Sequence, residues 1–372
     1  MDQGRINRRD FVSLVGATAG AAAFGPKAAQ ASPRLEARTP GRMVVGCQRA
    51  PTDDKALMFF KRHAVNHICG YPADEGTRAS WTADSLNQLR DRCDAHGVAL
   101  EMVQFPFMSS DAIEKSPRKG IMLGREPERQ QEIDEACEIV RSAAAAGIPA
   151  IKYNVNLLGV LRTTPTEGRG GTKYSTWRLA DARQDPPLTD AGHVPADLAW
   201  ERITYFLERV VPVAEEFKVR LACHPHDPGV PDSGFRGVVR VLGTVDGLKR
   251  FVQIKASPYH GLNLCLGSVA EMLQQPATEI HDVIRYFGTR GAIFNIHFRN
   301  IRGRRDSFQE VFPDEGDMDM LAVIRTLKQS GYSGMLMPDH MPTHPDDPGQ
   351  HQAFAFGYGY IRGLIQAVDS DA

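Results

Sequence analysis

From Met43 onward, short apolar runs alternate with amphipathic segments of helical period. MVVGCQ (43–48) precedes DDKALMFFKRH, AVNHICGYP precedes SLNQLRDRCDAHG, VALEMVQFPF precedes EPERQQEIDEACEIVRSAAAAG, and IPAIKYNVN precedes DLAWERITYFLERVVPVAEEF. Four further apolar runs follow: RLACHPHDP, LNLCLGS, IFNIHFRNI and GMLMPDHMP. Three of the helical segments run into Gly97, Gly147 and Gly331, where a left-handed C-cap is expected before the next strand. Eight strand–helix units in succession predict an α/β protein with one closed (β/α)8 barrel over residues 42–366, in preference to an open sheet.

Two segments break the rhythm. Residues 106–127 form a long loop after the third strand, and residues 157–199 a longer one after the fourth. Loops of this length in a compact domain are usually functional or disordered, and both leave the barrel on the face where such folds keep their active site. The second is expected to act as a lid, with Arg162, Arg169, Tyr174, Trp177 and Arg178 able to meet an anionic polyol; a solvated basic loop is the plainer alternative.

Composition adds bounds. The chain has 372 residues, 42% of them hydrophobic and 24% charged, which fits a soluble globular protein and leaves no room for extensive disorder. With a net charge of -1 and both signs mixed throughout, there is no broad basic surface for nucleic acid, and a small-molecule partner is expected. Residues 1–31 stand apart: Asn7-Arg8-Arg9-Asp10-Phe11-Val12 leads into VSLVGATAGAAAFG and ends at Ala29-Gln30-Ala31. This is the pattern of a cleaved twin-arginine export signal, which predicts a periplasmic protein with no membrane span after export. The six cysteines show no C-x-x-C pairing, and Cys93 and Cys137, on helical patterns, are expected to be buried thiols.

Candidate chemistry lies at the ends of the last four apolar runs, on His224, Cys265, His297 and Asp339. Parallel barrel strands converge at their C-terminal ends, so these four can surround one ion. Two imidazoles, a thiolate and a carboxylate suit Mn²⁺, Fe²⁺, Co²⁺ or Zn²⁺ rather than Ca²⁺. Arg299, at the next inward-facing position after His297, is expected to grip a substrate carboxylate, and Asn300 a hydroxyl. His340 has the proton affinity for acid–base work. Glu310 and Asp317 either contact substrate or cap the following helix, with the cap favoured for Asp317. Asp227 and His226 are candidates to orient a ligand or, for His226, to contact substrate or water. Lys152, Tyr153, Asn154 and Asn156 are polar where a barrel strand is usually apolar, so some should face the pocket.

The blocks RLACHPHDPG, GLNLCLGS, NIHFRNI, FQEVFPDEGDMDM and MPDH resemble the mannonate dehydratase family across about residues 42–366. The resemblance implies a xylose-isomerase-like barrel, Mn²⁺ on the matching His224, Cys265, His297 and Asp339, substrate contacts from Arg299 and Asn300, and acid–base work by His340. It also implies a sugar-acid substrate, D-mannonate losing water to give 2-keto-3-deoxy-D-gluconate, and a homo-oligomer. The chain departs from the family pattern at His226 and Gly229, at Gln309, and around Phe312 and Pro313. It departs again in Pro348-Gly349-Gln350-His351, where the family presents a tyrosine. The second proton-transfer partner is therefore open between His351 and His226. A metal-dependent isomerase or epimerase, or an exported sugar-acid binding protein, are the alternative readings.

Overall fold

A computed structural model of the chain describes residues 41–72 and 81–370. The export-signal pattern at residues 1–31 lies outside the described residues. The eight barrel strands are β1 (Val44–Gln48), β2 (His67–Gly70), β3 (Ala99–Gln104), β4 (Ala150–Tyr153), β5 (Arg220–Cys223), β6 (His260–Cys265), β7 (Ile293–His297) and β8 (Met335–Met337). Each pairs in parallel with its neighbours in chain order, and β8 closes on β1 through Val44 opposite Met335. Seven lie within the apolar runs that predict them, and β6 starts two residues ahead of its run LNLCLGS.

Each strand is followed by one main helix: α1 (Asp54–Arg62), α2 (Ala83–Ala95), α3 (Glu128–Ala145), α4 (Ala196–Phe217), α5 (Val245–Gln253), α6 (Pro276–Gly288), α7 (Met320–Gln329) and α8 (His351–Ser370). The last helix carries the barrel domain four residues past its expected end at 366. Apolar residues at helical spacing face the strands, as with Leu86, Leu89 and Cys93 on α2 and Ile203, Phe206, Leu207 and Val210 on α4. Side-chain oxygens of Asp53, Thr82 and Thr244 accept from orphan amides at the starts of α1, α2 and α5. Asp317 is not the cap of α7. That helix starts at Met320, so Asp319 accepts from Leu321 and Ala322, while Asp317 accepts from the Gly303 amide.

Inside the barrel, inward-facing Cys69, Met102, Ala150, Ala222, Met335 and Met337 form a compact cluster, with an Asn263–Asn295 amide pair among the buried polar groups. All six cysteines are buried and unpaired. At the base of β6, the buried His260 donates from Nε2 to the Phe251 carbonyl (3.0 Å) and packs against the Phe251 ring. Burial pushes its pKa down to about 4. A depressed folded-state pKa means that the neutral ring contributes stability in full above about pH 6.5, and that this contribution is lost as the pH falls toward 4. Moving from pH 7 to 5 is expected to cost about 2 kcal/mol through this group. A His260→Gln variant should show a smaller urea-midpoint shift over that range, and identical shifts in both proteins would rule the explanation out.

The loop after β4 is held down. Its strand Thr176–Arg178 pairs antiparallel with Ser307–Glu310, which pairs with Ile301–Arg304, so segments after β4 and β7 share one three-stranded sheet. A second ladder, Thr166–Glu167 with Lys173–Tyr174, braces the same loop internally.

Candidate metal centre and active site

His224, Cys265, His297 and Asp339 meet at the C-terminal mouth of the barrel, with one potential ligand atom from each within 4.8 Å of every other. His224 immediately follows β5, Cys265 and His297 end β6 and β7, and Asp339 follows β8 by two residues. The two-residue alternation of the strands turns all four inward. Asp339 Oδ2 lies 3.3 Å from His297 Nδ1 and 3.7 Å from Cys265 Sγ.

The hydrogen bonds decide which atoms remain for an ion. His224 Nδ1 donates to the Pro225 carbonyl (2.6 Å), which leaves Nε2 for the centre. His297 Nε2 donates to Gln48 Oε1 (3.1 Å), and its buried Nδ1, beside Asp339, has no hydrogen-bond partner. Fixing the outer ring nitrogen in this way sets the tautomer and the aim of a ligating imidazole. Burial pushes the Cys265 thiol up to about 12, so a cation is what makes its thiolate accessible near neutrality. Burial opposes ionisation of Asp339 as well, yet His340, His297 and Arg299 together hold its carboxyl well below the usual range. The donor set fits a divalent transition metal.

Beside the four donors lies a buried network of charge. Arg299, 1% exposed, donates from Nη2 to Asp227 (2.8 Å) and Ser268 Oγ (2.6 Å), while Nη1 contacts Glu310 and His340. Arg162 reaches in from the loop after β4 to pair with Asp227 (2.7 Å) and Glu310. Burial would raise Glu310, but His340, Arg162 and Arg299 bring it down to about 2. Glu271 goes the other way: burial and the nearby Asp227 carboxylate raise it well above its usual value, and neither of its oxygens has a hydrogen-bond partner. Gly267 is a spatial requirement of this network, since a Cβ there would lie 2.2 Å from Arg299 Nε.

His340 Nδ1 is tied to Glu310 Oε1 (2.7 Å), and its side chain remains 35% exposed, so Nε2 is the atom left for proton transfer. Burial lowers its proton affinity, while Asp339 and Glu310 more than reverse this, and the result is a raised pKa.

Several expected contacts are corrected. Arg299 does not present an open fork to substrate, because its Nη donors are committed to internal partners; it positions Glu310 and His340 instead. Asn300 is 1% exposed and donates to the Pro313 and Met318 carbonyls, closing the turn before α7 with Gly316 packed against its amide. His226 accepts from the Leu242 amide at Nδ1 and donates from Nε2 to the Val155 carbonyl, so both nitrogens serve the scaffold and burial pushes its pKa down to about 3. Arg178 lies on the three-stranded sheet, partly exposed, near Asp181. His351 opens α8, is exposed and packs edge-on against Phe59. Neither of these two belongs to the clustered group. Glu310 and Asp227 do, and Asn154 is buried with its Oδ1 lacking a partner.

Sequence reasoning passed over the opposite wall. Gln48, bonded to His297, also donates to Tyr71 Oη (2.8 Å) and Gln104 Oε1 (3.4 Å), and Tyr71 Oη bonds to Gln104 as well. These polar residues lie at or just past the ends of β1, β2 and β3, and that position was the available signal.

Similarity to known proteins points one way. The family described as D-mannonate dehydratase (UxuA) matches residues 178–372, just over half the chain. The mannonate dehydratase of Thermotoga petrophila is 29% identical over 346 residues, covering 82% of this chain and 91% of that protein. That of Streptococcus agalactiae serotype V is 29% identical over 321 residues, covering 77% and 87%. Among solved structures, the mannonate dehydratase of Streptococcus suis serotype 2 superposes with a TM-score of 0.75 at 23% identity, covering 88% of this chain and 95% of that one. A xylose isomerase domain protein from Planctomyces limnophilus gives 0.56 at 16% identity, covering 89% and 99%. At these identities the structures show a shared xylose-isomerase-like barrel. The isomerase, epimerase and binding-protein alternatives gain no support beyond that shared fold.

Proposed function

The chain belongs to the mannonate dehydratase family, and from that premise we propose that it is a hydro-lyase converting D-mannonate to 2-keto-3-deoxy-D-gluconate and water. The convergence of His224, Cys265, His297 and Asp339 beside His340 is the observation that carries this reading. Mn²⁺ is taken as the native ion on the family resemblance, and the mixed nitrogen, oxygen and sulfur donors also suit Fe²⁺, Co²⁺ or Zn²⁺.

When bound, the ion supplies positive charge that stabilises the electron density developing on the carboxylate side of the substrate. In the reaction a proton leaves the carbon next to the carboxylate, its C–H electron pair becomes a C2=C3 double bond, and the C3–O bond breaks. The departing hydroxyl takes up a proton to leave as water, and the enol tautomerises to the 2-keto acid. His340 is placed to carry one of these protons on Nε2 while Glu310 locks Nδ1 and Arg299 and Arg162 hold Glu310. Ser268 and Asp227 hydrogen-bond one terminal nitrogen of Arg299, whose other terminal nitrogen contacts this imidazole. The twin-arginine pattern at the start of the chain supports a periplasmic setting.

Mass spectrometry of the Mn²⁺-reconstituted protein with D-mannonate tests the reading. Loss of one water to give a 2-keto-3-deoxy acid is the expected result. Conserved mass with deuterium taken up from heavy water would reassign the protein as an isomerase or epimerase.

A further inference from the structure

Three cationic side chains surround the catalytic mouth, Arg299 and Lys152 buried and Arg162 partly so, and the terminal nitrogens of both arginines already hold partners. Arg299 serves Glu310, His340, Asp227 and Ser268, and Arg162 serves Glu310, Asp227, Ser175 and the Leu161 carbonyl. The terminal nitrogens of both are already shared with internal carboxylates.

Lys152 differs. It lies on β4 two residues beyond the inward-facing Ala150 and is only 5% exposed. Its amine is close enough to interact electrostatically with Cys69, Asp339, Cys265 and Cys223, and it in turn acts on both His224 and His297. It faces the metal-binding group from the β4 side, in register with the inward-facing Ala222, two residues before the donor His224. Among the described residues, the Lys152 side chain makes no hydrogen bond or ion pair, while its backbone carbonyl accepts from the Phe105 amide. A desolvated amine with no acceptor is costly to bury, and an anionic ligand entering the mouth offsets that cost by supplying the missing acceptor and charge.

We propose that Lys152 anchors the carboxylate of the sugar acid, seating the acid end against β4 and leaving the hydroxylated chain to run toward His340. The assignment rests on the sugar-acid reading above and deepens it. A lysine suits this position because a compact ammonium on a flexible stem can follow one carboxylate oxygen. The Gln48–Tyr71–Gln104 chain along the neighbouring strands supplies hydrogen-bonding groups for hydroxyls on the same wall.

The test compares D-mannonate with its neutral amide, D-mannonamide, by calorimetry on the Mn²⁺-loaded protein in a His340→Ala background that suppresses turnover. The parent is expected to prefer the acid. Lys152→Met should weaken D-mannonate binding by at least about 30-fold and remove that preference, with metal content unchanged. Lys152→Gln, which keeps a polar end, should show the same loss of preference and guards against a packing artefact in the Met variant. Equal weakening of acid and amide, loss of the metal, or an undiminished preference for the acid would each overturn the assignment. D-mannonate that binds through Lys152 without losing water in the protein carrying His340 would remove the dehydratase reading and leave the anchor in place. Water loss with an unchanged KM in Lys152→Met would do the reverse.

Discussion

Exchanging Asp339 for Asn lowers the rate of water loss from D-mannonate by at least about 10³-fold, on the scale of removing a preorganised charge from a transition state. Asp339 is the junction of the four donors, 3.3 Å from His297 Nδ1 and 3.7 Å from Cys265 Sγ. Asparagine keeps the volume and one oxygen, so the barrel should remain folded while the site loses its carboxylate charge. Metal per chain, measured by plasma mass spectrometry, should fall in parallel. Chelation of the wild-type ion should reproduce the loss of rate, and added Mn²⁺ should restore it. A variant that retained both rate and metal would show that Asp339 is dispensable and would remove the proposed centre.

The second large effect concerns stability. Arg299→Met leaves Asp227 and Glu310 buried with Arg162 as the one cation still pairing with both, and breaking buried pairs of this kind costs about 3–5 kcal/mol. Methionine fills much of the same length, so the loss should come from uncompensated charge more than from a cavity. Arg299→Lys should recover only part of it, because one ammonium cannot serve the four partners that the guanidinium reaches from two nitrogens. Denaturant midpoints of the three proteins measure this directly. Equal midpoints for wild type and Arg299→Met would mean that Arg162 alone holds the carboxylates.

Period-two and helical patterns made the barrel legible, down to the left-handed turns at Gly97, Gly147 and Gly331. The four donors were legible for the same reason: each ends a strand or follows one by no more than two residues, where alternation still tells which way a side chain points. That reasoning weakens once the strand stops. β5 ends at Cys223, so alternation says nothing reliable about His226, which turns to Val155 and Leu242. Arg299 does lie beside the centre, as its position suggests, but its partners come from segments as distant in sequence as Asp227 and Glu310. One strand's pattern cannot show that such partners are waiting. Gln48, Tyr71 and Gln104 escaped attention because each is the polar residue that closes an apolar run, and a search for hydrophobic pattern stops there.

The ladder joining Thr176–Arg178 to Ser307–Glu310 has a consequence for redesign. Glu310 hangs from the same backbone pairing that fastens the loop after β4, with its amide donating to the Ser175 carbonyl. The two loops therefore form one inheritable cassette. Transplanting either alone into a related barrel would carry half of a seam and leave Arg162 or Glu310 without its counterpart. Shuffling for a new sugar preference in this scaffold has to move both segments in a single exchange.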